Sequence, residues 1–448
     1  MTRSSAGEDL GLVGESCRRH VWVACSRGLS GSLSQRTLGH VPSEQQTRLD
    51  LGQLLDAVEN APPVAAADVV GQRLADALGA TAVAFLIADY GGQALIRLGH
   101  HGDRGATRTR GHETAHRVPL SDGAHGRVLA SQTAETIVGA SSARVLAPVT
   151  NRGEAIGVLE LRLPEAPDDQ TLADITLAAH ALAYVIIANR RYTDLFEWGQ
   201  RSVPLSLAAE IQHRLLPPSY TCEAGQFTLA GWLEPAGDIA GDTFDFSLER
   251  DTVHLSLTDA MGHNVDAAVL ATVLVGALRN ARRAGQDLRR QAGSANTALA
   301  DHACHGEFVT GQLARIDLPT GTASVINAGH VCPLRLRGGR VESIELDADP
   351  PFGTVRGYEY RVQPLALEPG DRLLFLTDGM LERHAARLNV PALVQASADQ
   401  HPREAVQHLM SAVLEAADGE LKDDATALCL DWHGGPERER TSSRGANR

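Results

Sequence analysis

Twice in this chain a hydrophobic strand runs straight into an aspartate. "DTVHLSLTDAMG" reaches Asp259 and "DRLLFLTDGM" reaches Asp378, each followed by a small residue and a methionine. Apolar runs of this length are drawn into the core of a sheet. A carboxylate at the buried end of such a run is costly unless it is paired or bound to a cation. The small residue after it lets the backbone turn sharply or approach another segment closely. Two strand ends of this kind point to one shared polar site, which the rest of the domain must assemble.

The segment around them starts with "SLAAEIQHRLLPP", in which Leu207, Ile211 and Leu215 share one helical face and Pro217–Pro218 ends the helix. Short strands follow ("FTLAGWL", "GDTFDF", "TVHLSLTD"), then a helix over 265–283. Further strands ("FVTGQLARID", "TASVINAGH", "DRLLFLTDGM"), a helical stretch over Pro402–Ala417 and a last strand, "DATALCLDW", complete the domain, which spans 205–433. Elements in blocks rather than in strict alternation favour an α+β fold with antiparallel sheets.

Upstream, residues 49–191 read as an α/β domain. "LDLGQLLDAVENA" and "AADVVGQRLADALG" have helical spacing, "TAVAFLIADY" is a strand, and "ARVLAPVTNRGEAIGVLELRL" is a hairpin about its "NRG" turn. One long helix, "TLADITLAAHALAYVIIANRRYTDLFEW", follows, and residues 192–204 are expected to form a helical linker. Residues 1–48 and 434–448 lack a sustained period and read as a flexible extension and a disordered tail. A chain of 448 residues is long for a single core, so several domains are expected.

The net charge of −14 argues against a nucleic-acid partner, because phosphate backbones select basic surfaces. The most apolar run, Leu177–Ala188, is shorter than the roughly 20 residues that span a bilayer, so no membrane insertion is expected. The N-terminus has no charged-then-apolar signal pattern. The six cysteines (Cys17, Cys25, Cys222, Cys304, Cys332, Cys429) include no CxxC pair, which indicates neither a disulfide framework nor a zinc cluster. A cytoplasmic location is expected.

Within 205–433, acidic residues sit beside Gly or Ala at turns and strand ends: Asp242 in "AGDTFDF", Asp259, Asp378, and Asp423–Asp424 in "KDDAT". One such Asp is ordinarily a turn residue or a helix cap. Four places together, two in near-identical strand contexts, point instead to a hard divalent cation such as Mg²⁺ or Mn²⁺, which takes oxygen ligands and keeps several waters. A pair of such ions activates water and holds a phosphoryl group for in-line attack, with no need of a Ser or Cys nucleophile.

These stretches, in order "EIQHRLLPP", "AGDTFDF", "TDAMGHNVDAA", "FVTGQLARID", "NAGHVCP", "PPFGT", "LEPGDRLLFLTDGMLE" and "DDATAL", resemble the metal-dependent protein phosphatases of the PPM family in their bacterial SpoIIE-type branch. The resemblance covers about Leu205 to Asp431 and implies an αββα sandwich of two antiparallel sheets with two Mn²⁺ or Mg²⁺ ions at one end. It implies that Asp259 bridges the metals and that the backbone carbonyl of Ala260 helps to hold one. Asp242, Asp378 and Asp423 would be carboxylate ligands, with Asp424 as second choice. The implied activity is protein-serine/threonine phosphatase, acting on a phosphorylated partner, usually a STAS-type anti-sigma-factor antagonist. No side-chain nucleophile is implied; His263 and His330 lie near the motifs, with His263 a candidate acid. The chain departs from the pattern at Ala240 ("AGD" for "GGD"), at Asn264 for the last Gly of "D-x-M-G-H-G", and at Ala260 where Gly is common. Those departures support an alternative, a catalytically silent phosphatase-like regulator that binds a partner protein.

Residues 49–191 resemble a GAF domain, on "GVLEL" after a turn and on the flanking helices. The resemblance implies a sensor that regulates the phosphatase. A seam of Leu177, Ala181, Val185 and Ile186 would allow a homodimer, or would simply pack on its own domain. "HETAH" at His112–His116 fits the H-E-x-x-H zinc-protease pattern, but its Gly- and Arg-rich surroundings have no apolar helical face to carry that mechanism.

Overall fold

The structure is a computed structural model that describes residues 49–100, 106–120, 123–202, 204–236, 241–262, 264–302, 306–381, 388–419, 421–436, 440 and 445–446. The expected extension 1–48, Ala240 and His263 lie outside the described residues.

The N-terminal domain is built on a seven-stranded sheet. Across it lie Arg108–Arg110, Glu113–Pro119, Ala94–His100, Ala82–Ala88, Glu154–Leu163, Ala143–Asn151 and Glu135–Val138, every pair antiparallel. The helices Leu51–Glu59, Ala66–Leu78 and Asp169–Asn189 cover one face, sharing a core of Leu54, Val70, Leu74, Val145, Leu161 and Leu182. The short helix Ala124–Ser131 packs near Leu86, Leu95, Leu146 and Val158. "HETAH" belongs to the Glu113–Pro119 strand and the turn before it, so it lacks the helix that the protease pattern requires.

The single long helix expected from "TLADI…LFEW" is two. The first runs Asp169–Asn189, capped by Asp168 accepting from the Thr171 amide at 2.7 Å, and the second runs Leu195–Gln200 within the expected linker. At 21 residues the first is long and apolar enough to cross a membrane by length and composition alone, longer than the apolar run at its centre suggested. Val185 and Ile186 of the expected seam are buried in the domain's own core.

The C-terminal domain is a sandwich. Its five-stranded sheet runs Asp242–Leu248, Thr252–Ala260, Val309–Asp317, Thr322–Ala328, Gln363–Ala366. Its six-stranded sheet runs Arg340–Ser343, Leu334–Arg337, Asp371–Leu376, Ala425–Trp432, Phe227–Glu234, Thr221–Glu223. The two face each other through Phe227, Phe244, Leu257, Ile316, Phe375 and Leu430, each nearly inaccessible. Burial of side chains of this size stabilises by about 1.5–3 kcal/mol apiece. Helices Asn264–Arg283 and Leu288–His302 cover the outside of the first sheet, and Val390–Ala396 and Pro402–Ala416 the outside of the second. This is the α+β, helix–sheet–sheet–helix order expected from the sequence.

The helix Leu207–Leu215 starts where Ser206 Oγ accepts from the Ala209 amide at 3.1 Å, and stops at Leu216, held extended before Pro217. Its buried face is Ala208, Ala209 and Gln212, whereas Leu207 is 67% exposed. The Leu207–Ile211–Leu215 stripe is therefore not the principal packed face. Alanines allow a close approach to Ala268 of the Asn264–Arg283 helix, and Gln212 finds polar partners inside. The expected disordered tail is also partly anchored: Arg440 pairs with buried Glu223, and the Ala446 amide donates to Ser131 O at 3.0 Å.

Candidate metal centre

Asp242 and Asp259 stand directly opposite each other on neighbouring antiparallel strands of the five-stranded sheet. The six-stranded sheet supplies the other carboxylates. Asp378 opens the 3-10 turn Asp378–Met380 just beyond the Asp371–Leu376 strand, and Asp423–Asp424 immediately precede the neighbouring Ala425–Trp432 strand. "LTDAM" and "LTDGM" thus end on different sheets and converge.

Two glycines make that convergence possible. A Cβ on Gly379 would lie 2.0 Å from Asp424 O, and one on Gly241 would lie 2.5 Å from Ala260 O. The small residue after Asp378 is therefore required for close approach. The carbonyl of Ala260, proposed from the resemblance as a ligand, lies against the Cα of Gly241.

The carboxylates form a gradient of burial. Asp378 is exposed, Asp259 and Asp423 are half-buried, and Asp242 and Asp424 are buried. Oδ2 of Asp242 accepts from the hydroxyls of Thr377 at 2.7 Å and Thr426 at 2.6 Å, one oxygen held by the opposite sheet. Asp424 accepts from the Ala236 amide at 2.9 Å, the Gly241 amide at 3.0 Å and Gln212 Nε2 at 2.5 Å. Its acceptor capacity is taken up in tying the Gly241–Asp242 backbone to the other sheet, while its neighbour Asp423 acts electrostatically on Asp259.

Burial first, then the charges of Asp378, Asp423 and Asp424, pushes Asp259 up to about 7. Burial, Asp259 and Asp424 push Asp242 well above the usual carboxylate range, although its two threonine donors pull the other way. Such a cluster is relieved by a cation. Among the described residues no group of three or more His, Cys, Asp or Glu side chains is gathered closely enough to hold a metal ion by itself. The donors fit Mg²⁺ or Mn²⁺, which bind through one or two carboxylates and retain waters, and do not fit a fully protein-caged ion. By contrast, Asp245 on the same strand as Asp242 faces the helix, where Arg279 at 2.9 Å and Arg282 at 3.1 Å pair with it.

The family profile of Stage II sporulation protein E (SpoIIE) matches residues 249–433. The phosphoserine phosphatase RsbU of Bacillus subtilis (strain 168) is 20% identical over 236 residues, covering 50% of this chain and 69% of RsbU. Residues 249–433 form a SpoIIE-type domain. Stage II sporulation protein E of the same organism is 22% identical over 199 residues, 43% of this chain and only 24% of that protein. Among solved structures, the RsbU and RsbW domains of Rv1364c from Mycobacterium tuberculosis match with a TM-score of 0.43 and 24% identity, covering 48% of this chain and 62% of that one.

In this SpoIIE-type domain, His330 is buried. Its Nε2 faces Leu376 O at 3.1 Å and its Nδ1 faces Thr310 Oγ1 at 2.9 Å. Because a carbonyl only accepts, Nε2 carries the proton and Nδ1 takes the threonine's. Burial pushes the ring down to about 4, so it is a neutral tie to the end of the strand that leads to Asp378, not a proton donor at neutral pH. Asn264, in place of the family's last Gly, has φ 63°, a left-handed conformation that Asn tolerates. Cys222 and Cys429 are buried, and burial pushes the Cys429 thiol up to about 12, which rules it out as a thiolate nucleophile.

Sequence reasoning did not single out Gln212, Thr377 or Thr426. The signals were present: a Gln inside a helix of buried alanines, and threonines flanking the aspartate motifs on strands otherwise apolar.

Proposed function

We infer that this chain is a Mn²⁺- or Mg²⁺-dependent protein serine/threonine phosphatase acting on a phosphorylated regulatory protein, of the STAS anti-sigma-factor-antagonist type, under control of the GAF-like N-terminal domain. The observation that supports it most is the cross-strand pair Asp242–Asp259 with Asp378 and Asp423 brought to it from the second sheet. RsbU, a phosphoserine phosphatase by name, supports the substrate chemistry.

Asp259, Asp242, Asp378 and Asp423 would hold the cations. When bound, two divalent ions supply Lewis-acid polarisation of a phosphoryl group and water of lowered pKa. The protein's own part is orientation. Thr377 and Thr426 fix one oxygen of Asp242 and so set the orientation of its carboxylate. Asp424 anchors the backbone before Asp242 through the Ala236 and Gly241 amides. The exposed Asp378 leaves the site open to a phosphorylated side chain on a protein surface.

The test is release of phosphate from a phosphorylated STAS-domain protein, with Mn²⁺ and with EDTA, by wild type and Asp378→Ala. Metal-dependent release that Asp378→Ala abolishes is expected. Stable binding of the phosphoprotein without release in Mn²⁺ would establish the silent-regulator reading instead.

A further inference from the structure

We propose that the cleft between the N-terminal domain and the phosphatase domain is a binding site for a small phosphate-bearing ligand with a planar ring, of the nucleotide class. The cleft encloses about 730 Å³. That falls inside the roughly 300–1,000 Å³ of small-molecule sites, which favour domain boundaries.

Its walls are fixed in place. The Glu154 carboxylate of the N-terminal domain accepts from Ser219 Oγ at 3.0 Å and from the Tyr220 and Thr221 amides at 2.9 and 2.8 Å. In the reverse direction, Arg403 of the phosphatase domain donates to Gly153 O at 2.5 Å and Leu129 O at 2.9 Å. Both contacts line the cleft. It is therefore a preformed space, not a gap between loosely associated bodies.

Its charge is positive. Seven arginines and five carboxylates line it. Arg279 and Arg282 are engaged by Asp245, Arg214 by Glu197 and Arg403 by Glu404. Arg191 and Arg283, one from each domain, have no hydrogen-bond or ion-pair partner among the described residues. Two unengaged guanidinium forks, one from each domain, suit phosphate, which they bind in bidentate fashion. The lining also carries aromatic rings: Tyr90 lies 4.1 Å from His213, ring centre to ring centre, and Tyr220 and Trp232 border the same space. Flat π faces of this kind stack on planar rings.

The placement also connects the cleft to the metal centre. His213 and Arg214 face the cleft, while the preceding residue, Gln212, donates to Asp242 O and to Asp424. A ligand against His213 and Arg214 bears on the helix that braces the carboxylates. The binding itself does not depend on the phosphatase reading.

The experiment uses the full chain dialysed against EDTA, so that nucleotide cannot bind through cations in the metal centre and no turnover contributes. Calorimetric titration with ATP, GTP, CTP and UTP is compared with adenosine and inorganic phosphate. At least one triphosphate is expected to bind with a Kd below about 1 mM, and adenosine and phosphate at least about tenfold more weakly. Arg191→Glu/Arg283→Glu, at two exposed positions, is expected to melt as wild type and to weaken binding at least about tenfold, with Arg191→Gln and Arg283→Gln intermediate. Binding by none of the four triphosphates, binding that the double variant leaves intact, or phosphate alone binding as well as a triphosphate would each overturn the proposal.

Discussion

Thr426 donates its hydroxyl hydrogen to Oδ2 of Asp242 at 2.6 Å, across the interface between the two sheets. Thr377 donates to the same oxygen, and its own Oγ1 accepts from the Thr426 amide at 3.0 Å. All three residues are buried. Hydrogen bonds to a charged group contribute about 1.5–3 kcal/mol each, and a buried carboxylate stripped of a donor carries the desolvation penalty instead.

Thr377→Val and Thr426→Val should therefore each lower phosphatase turnover by roughly tenfold or more and weaken Mn²⁺ binding, because the freed carboxylate no longer presents a fixed oxygen. Thr→Ser at either position keeps the hydroxyl and should stay near wild type. Kinetics together with calorimetric Mn²⁺ titration decide it; valine variants that bind Mn²⁺ as wild type does would show the hydroxyls to be structural only.

Asp259 and Asp378 stand out in the sequence because each closes an apolar strand before a small residue, whereas Asp242 and Asp423 carry only the weaker signature of an acid beside Gly, Ala or Asp where a strand begins. The sandwich could be read because its strands are long and its helices come in blocks. What escaped is what depends on contacts distant in sequence. Gln212 meets Asp424 across 212 positions, and Thr426 meets Asp242 across 184. The Leu207–Ile211–Leu215 stripe misled because helical periodicity reports apolar spacing, while packing against a close neighbour selected Ala208 and Ala209. The break at 190–194 escaped because the residues between the two helices, "RRYTD", contain neither Gly nor Pro.

Crowded carboxylates trade stability for metal affinity. Asp259→Asn removes a group whose ionised form is disfavoured by burial and by Asp378, Asp423 and Asp424. At pH 8 without metal, the variant should melt several degrees above wild type. Adding Mn²⁺ should raise the wild-type Tm in proportion to ligand binding and leave the variant nearly unmoved. Differential scanning calorimetry in EDTA and in Mn²⁺ reads both effects, and a variant less stable than wild type in EDTA would refute the crowding argument.

Gly379→Ala and Gly241→Ala would each drive a methyl group into a carbonyl oxygen, at 2.0 Å from Asp424 O and 2.5 Å from Ala260 O. Both should destabilise by on the order of 2 kcal/mol or more, since backbone must move. Gly276→Ala, on the exposed face of the Asn264–Arg283 helix with nothing within 4 Å, should instead stabilise by about 0.5–1 kcal/mol. Urea unfolding of the three variants checks the ordering.

His213 provides a pH signature. Burial, and then Arg201 and Arg214, push its ring down to about 4, against the opposing pull of Glu210, and the rings of Tyr90 and Tyr220 pack against it. In the unfolded chain it titrates near 6.5. Between those values the unfolded state binds the extra proton, so stability is complete above about 6.5 and falls as pH drops towards 4. At pH 5 the loss amounts to on the order of 2 kcal/mol. His213→Gln does not titrate, and every other group is shared with wild type, so the difference between the two proteins isolates this ring. Urea unfolding at pH 8 and pH 5 should show wild type losing more stability than His213→Gln over that interval, and equal losses would mean that the ring is solvated and titrates normally in the folded state.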